Sequence, residues 1–168
     1  MTTREKIAAA QERLKRIYAK RPEVAQGGST TRCVLKEGLL CEVQNGDWRL
    51  QVDQPLETGG DNTAPDPGVY GRASLSACLT QGYVMVLAEH GITPTRLEVE
   101  VSGHMDARAS VGMEGGPSGY QGIAYSVVIE ADAPRERIEE LLMESERRSP
   151  WLYNFLNALS AERKVEIA

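Results

Sequence analysis

The stretch from about Val69 to His90 constrains the fold more than any other part of the sequence. It reads as one long helix with apolar residues on nearly every side: Val69, Leu75, Ala77, Leu79, Val84, Met85, Val86, Leu87 and Ala88. Gly91 follows it, a residue suited to closing a helix in the left-handed conformation. A helix apolar all round has to be covered, either in the middle of a domain or between two subunits. No apolar run approaches the roughly 20 residues needed to cross a bilayer, so the cover is protein and not lipid. The rest of the chain must therefore wrap this helix. At 168 residues it is long enough for one domain to do so without disulfide staples.

The flanking segments read as follows. Residues 4–20 place Ile7, Ala10, Leu14 and Ile17 at helical spacing among charges. Arg21-Pro22 ends that helix, because the residue before proline avoids the α region. Gln26-Gly27-Gly28-Ser29 is a flexible joint, which makes 1–28 a helical extension and 29–168 the main domain. Thr30–Lys36, Leu39–Gln44 and Trp48–Asp53 read as an antiparallel β-meander turned at Glu37-Gly38 and Asn45-Gly46. In the third run Trp48, Leu50 and Val52 share one face. Residues 54–68 form a polar Gly/Pro loop. After the long helix, 96–103 and 123–131 alternate as strands around a Gly-rich hairpin loop. A helix capped by Asp132 runs to about Arg147, Ser149-Pro150 breaks it, and Lys164–Ile167 reads as a terminal strand. The fold class is α+β, with antiparallel sheet packed on the central helix.

Composition narrows the function. A net charge of −5 argues against a general nucleic-acid or anionic-membrane binder. The basic residues near the N-terminus read as a solvated helix face. The N-terminus has no apolar h-region, and three cysteines without CxxC spacing fit a reducing cytoplasm. His90 and His104 have no further ligand at metal spacing, so no zinc site is expected. P-loop, Gly-rich dinucleotide and Ser-His-Asp signatures are lacking, and no cofactor is expected.

Cys78 is the most reactive-looking group, near the start of the long helix. Ser74, Leu75, Gly82 and Met85 share its face. It has a structural reading, as a small core hydrophobe. Its functional reading requires a thiolate with a cation nearby. Arg72 is on the wrong face, whereas Arg32 and Arg49 on the sheet are available. Cys33 and Cys41 lie on consecutive strands. With the turn at Glu37-Gly38, position 33 falls opposite about 42 and the two thiols are expected on opposite faces, as structural residues. Of the carboxylates Glu57, Asp61, Asp66 and Glu89, one could orient an arginine.

The string Asp53-Gln54-Pro55, Gly59-Gly60-Asp61, Pro65-Asp66-Pro67-Gly68 and Ala73-x-Leu75-x-Ala77-Cys78 resembles the OsmC/Ohr family of osmotically inducible and organic-hydroperoxide-resistance proteins. The element order is similar over about residues 29–167. The resemblance implies an intertwined homodimer with two long central helices sheltered by sheets. It implies reduction of organic hydroperoxides at the position of Cys78, through a sulfenic acid that a second cysteine resolves. It also implies an arginine from the first strand, here Arg32, that holds the thiolate, and a glutamate that orients the arginine. Two positions depart from this pattern: Ser149 stands where the second cysteine is expected, and Gly68 where the glutamate is expected. Three readings follow. In the first, the protein is a one-cysteine thiol peroxidase resolved by an external thiol. In the second, it is a non-catalytic module that binds a small apolar ligand in a dimer-interface pocket lined by Cys78, Ser149, Ser74 and Met85. In the third, it is an interaction protein working through its N-terminal helix.

Overall fold

A computed structural model of the chain describes residues 1–167. Helix α1 (Thr3–Lys20) starts at a capping box: Thr2 Oγ1 accepts from the Glu5 N–H, and the Glu5 carboxylate accepts from the Thr2 N–H. Its stripe of Ile7, Ala10, Leu14 and Ile17 is half-buried, and the helix docks on the body of the chain.

Strands β1 (Arg32–Glu37), β2 (Leu40–Asn45) and β3 (Trp48–Val52) form an antiparallel meander. Gly38 and Gly46 sit in its two turns at φ of 54° and 55°, a region where a Cβ is penalised. The first hairpin turns over Gly38-Leu39 with a bulge, so its register differs from the expected one. Cys33 faces Val43 and Leu35 faces Cys41. Because side chains alternate with period two, this one-residue shift moves a whole set of side chains between faces. It corrects the expectation for the two cysteines: Cys33 and Cys41 stand diagonally on the same face. Burial, then a hydrogen bond with Cys33, pushes the Cys41 thiol up, which disfavours the thiolate there.

Helix α2 (Pro67–Glu89) is the long helix. Asp66, placed in the loop from sequence, is its N-cap and accepts from the Val69 N–H at 3.0 Å, while Pro67 occupies the first turn. Gly91, at φ 75°, closes it as expected. Beneath it lies a hairpin of β4 (Pro94–Met105) and β5 (Tyr120–Ala131). Leu75, Leu79 and Tyr83 are fully buried against Leu97, Val99, Val101, Ile123 and Val127. Each such aliphatic side chain contributes about 1.5–3 kcal/mol through burial. Helix α3 (Arg135–Arg147) and the short α4 (Pro150–Leu156) cover the flank. The α3 cap is Pro134 and not Asp132, and no side chain caps this end.

Two features leave the single chain incomplete. The meander has an apolar face of Cys33, Leu35, Cys41, Val43, Trp48, Leu50 and Val52, yet Trp48 is 77% and Leu35 62% exposed. Among the described residues, no helix and no strand of the second sheet packs extensively on the meander. The expected strand at Lys164–Ile167 is not formed: a strand needs a hydrogen-bonding neighbour, and among the described residues this segment pairs with none.

Candidate functional site

The site lies along the outer side of α2, where α1, α3 and the turn into α4 meet it. Cys78, Gly82, Met85 and Glu89 recur along this side at helical spacing. Gly82 lets α3 approach closely: a Cβ there would stand 2.8 Å from Ser145 Oγ. The result is a cavity of about 490 Å³ whose apolar walls include Ala77, Met85, Val86, Pro150 and Trp151. Ser74, Cys78, Met85 and Ser149 all line it, so four of the five side chains singled out from sequence come together.

Cys78 Sγ stands 3.3 Å from Ser149 Oγ. Ser149 is the N-cap of α4 and its oxygen accepts the Leu152 N–H at 3.2 Å. With the oxygen so engaged, the hydroxyl hydrogen is free to point at sulfur, so Ser149 can donate to a thiolate. Among the described residues this is the hydrogen bond found at Cys78, and its partner is a neutral group.

Arg32 is not brought to this thiol within the chain. It begins β1 on the polar face of the meander, opposite the face of Cys33, and is exposed. Arg49 is held on the same sheet by Gln44, with Nη1 to Oε1 at 3.1 Å. Arg72 donates to the Tyr120 hydroxyl at 2.8 Å, away from the sulfur as its helical position requires.

The far end of the cavity carries an ionic network. Glu89 accepts from Lys15 Nζ at 2.7 Å and from Arg148 Nη1 at 3.2 Å, and its side chain is only 8% exposed. Burial alone would push its carboxyl up, but the hydrogen bonds from Lys15 and Arg148 outweigh burial and hold it below the usual carboxylate range. Hydrogen bonds donated to Glu89 and then to Glu12 hold Lys15 above its ordinary value. Arg148 also pairs with Glu144. Of the four carboxylates named from the sequence, Glu89 is thus the one paired with an arginine here, Arg148. Lys15, Gln11 and Arg148 were missed, since nothing local in α1 says where on the body it docks.

The loop ahead of α2 is organised by Asp53, which is 1% exposed. Its Oδ2 accepts from the Thr63 N–H at 2.9 Å and from Thr63 Oγ1 at 2.7 Å, and its Oδ1 accepts from the Gln54 N–H at 2.7 Å. These bonds, led by the Thr63 N–H, hold its carboxyl below the usual range. Gly60 packs so tightly on this loop that a Cβ would sit 2.1 Å from the Gln54 carbonyl oxygen.

No helix among the described residues is long and apolar enough to cross a membrane. No curated protein matches the chain. Several solved structures share the fold. An OsmC-like protein from Mycoplasma pneumoniae is 17% identical with a TM-score of 0.66, over 78% of this chain and 89% of that one. An OsmC-like protein of unknown function from Vibrio cholerae is 8% identical with a TM-score of 0.59, over 76% and 93%. The organic hydroperoxide resistance protein OsmC from Legionella pneumophila is 17% identical with a TM-score of 0.51, over 76% and 88%. The sequence itself matches the family model described as OsmC-like protein over residues 59–164, a span that holds the second part of the loop, α2, the second sheet and Ser149. With the greater part of the chain matched and its fold shared, the protein belongs to the OsmC-like family.

Proposed function

We propose that the protein is a one-cysteine thiol peroxidase that reduces organic hydroperoxides at Cys78, and that it works as a homodimer. The observation that carries this reading is the thiol beside a hydroxyl donor at the wall of an organic-sized, largely apolar cavity. The Cys78 thiolate attacks the outer oxygen of the hydroperoxide. The O–O bond breaks, the alkoxide leaves and takes a proton to become an alcohol, and the sulfur becomes a sulfenic acid. Ser149 donates to the thiolate but cannot form a disulfide. An external thiol therefore attacks the sulfenic sulfur and releases water, and a second external thiol displaces Cys78 from the mixed disulfide.

The homodimer reading is supported by the uncovered apolar face of the meander and by the outer side of α2, which leaves Met85 exposed. A second copy supplies matching cover for both. Arg32 enters the chemistry only across such an interface. If it does, Arg32→Met slows peroxide consumption by more than tenfold; an unchanged rate removes it from the mechanism.

A second reading, ligand binding without catalysis, is favoured by one observation: the partner of Cys78 is neutral and Arg148 is already paired with Glu89 and Glu144. Cumene hydroperoxide given to excess protein decides between them. Consumption that is lost in Cys78→Ser and kept in Cys33→Ser and Cys41→Ser supports the peroxidase. No consumption, with binding of the alcohol product retained, supports the binding module.

A further inference from the structure

We propose that α1 is the end wall of the Cys78 cavity and sets the length of organic ligand that can reach the thiol. This rests on the reading of that cavity as the ligand site. Every other lining residue comes from 74–151, inside the span that matches the family, whereas Gln11 comes from α1, outside it. Gln11 is thus the lining residue that stands outside the matched span.

The helix is fastened there by groups distant in sequence. Arg4 Nη1 donates to the Gly91 carbonyl at 2.6 Å, which ties α1 to the residue that closes α2. Lys15 donates to Glu89, whose side chain is nearly buried and whose other partner, Arg148, belongs to the turn after α3. Removing Lys15 leaves that carboxylate short of a partner, so displacing α1 to admit a longer ligand has an electrostatic cost. Cys78 and Glu89 are eleven residues apart on α2, about 16 Å along its axis. Met85 lies between them on the cavity wall. A ligand reacting at Cys78 can lay its organic part along α2 only as far as Gln11 and the ion network. Compact organic molecules fit inside this length, and long unbranched chains meet α1.

The test uses the full chain and needs no peroxide, so its outcome is independent of whether Cys78 is a peroxidase. Cys78 is alkylated with N-ethylmaleimide and with N-dodecylmaleimide below its aggregation concentration, and the Cys78 peptide is quantified by mass spectrometry. Each rate is divided by the rate of the same reagent with free cysteine. In the native chain the dodecyl reagent lags behind the ethyl reagent. Gln11→Ala and Lys15→Met raise the relative dodecyl rate several-fold and leave the ethyl rate unchanged, while Gln11→Trp lowers it. Opposite shifts from two substitutions at one position cannot come from loss of folding. A ratio identical in all four chains, or equal rates of the two reagents in the native chain, overturns the proposal.

Discussion

At Ser149 one side chain serves two neighbours: its oxygen caps α4 and its hydroxyl hydrogen can face Cys78. Ser149→Ala therefore has two separable effects. Stability falls by about 1 kcal/mol from the lost cap. The thiolate also loses a charge-assisted hydrogen bond worth about 1.5–3 kcal/mol, which slows oxidation of Cys78 by hydroperoxide. Stopped-flow oxidation and thermal unfolding measure the two effects apart. Ser149→Cys restores a second sulfur at this short distance from Cys78, and one equivalent of hydroperoxide is expected to give an intrachain disulfide, read as non-reducing peptide mass. At Gly60, substitution by alanine drives a Cβ into the Gln54 carbonyl, and destabilisation above about 3 kcal/mol is expected by denaturant unfolding. Cys78 was legible in the sequence from its place on the long apolar helix, and Ser149 from the resemblance, as the residue ahead of Pro150 where a second cysteine is expected. Asp53 was visible only as part of a resemblance, since its partner Thr63 lies across an irregular loop.

Helices were easier to place than what they touch. The apolar run and its Gly91 stop located α2, and the stripe on α1 located its buried side. The docking of α1 on α2 was not legible, because it depends on the long-range pair Lys15–Glu89 and on a carbonyl at the end of another helix. The meander shows how a small local detail misleads. A turn displaced by one residue put Cys33 and Cys41 on one face, and a bulge of that kind leaves no compositional trace. A pH dependence belongs at this scale. Glu89 is held below the ordinary carboxylate range by Lys15 on α1 and Arg148 after α3, so its contribution to docking is fully present above that range. It is lost as pH falls through that lowered value. Hydrogen exchange is expected to show α1 amides losing protection there before those of α2, and Glu89→Gln to show the same loss already at neutral pH. Equal protection of α1 in the native chain and Glu89→Gln would contradict the latch.

The whole molecule explains what neither scale does alone: an apolar sheet face left open, an apolar helix side left half-covered, and a final segment with no strand to join. An exposed face of this kind on a single chain is an interface or a liability. A homodimer is expected by light scattering, and Trp48→Lys with Leu50→Asp should yield a monomer or an aggregate; a native chain that is monomeric at micromolar concentration would contradict this. The family of the chain follows from its sequence match and fold, but the reaction rests on one thiol in one cavity. The most direct test gives cumene hydroperoxide to excess protein without added thiol and traps the product with dimedone. The account predicts that hydroperoxide is consumed and that the dimedone adduct forms on Cys78. Hydroperoxide left intact, or an adduct on Cys33 or Cys41 in place of Cys78, would contradict it.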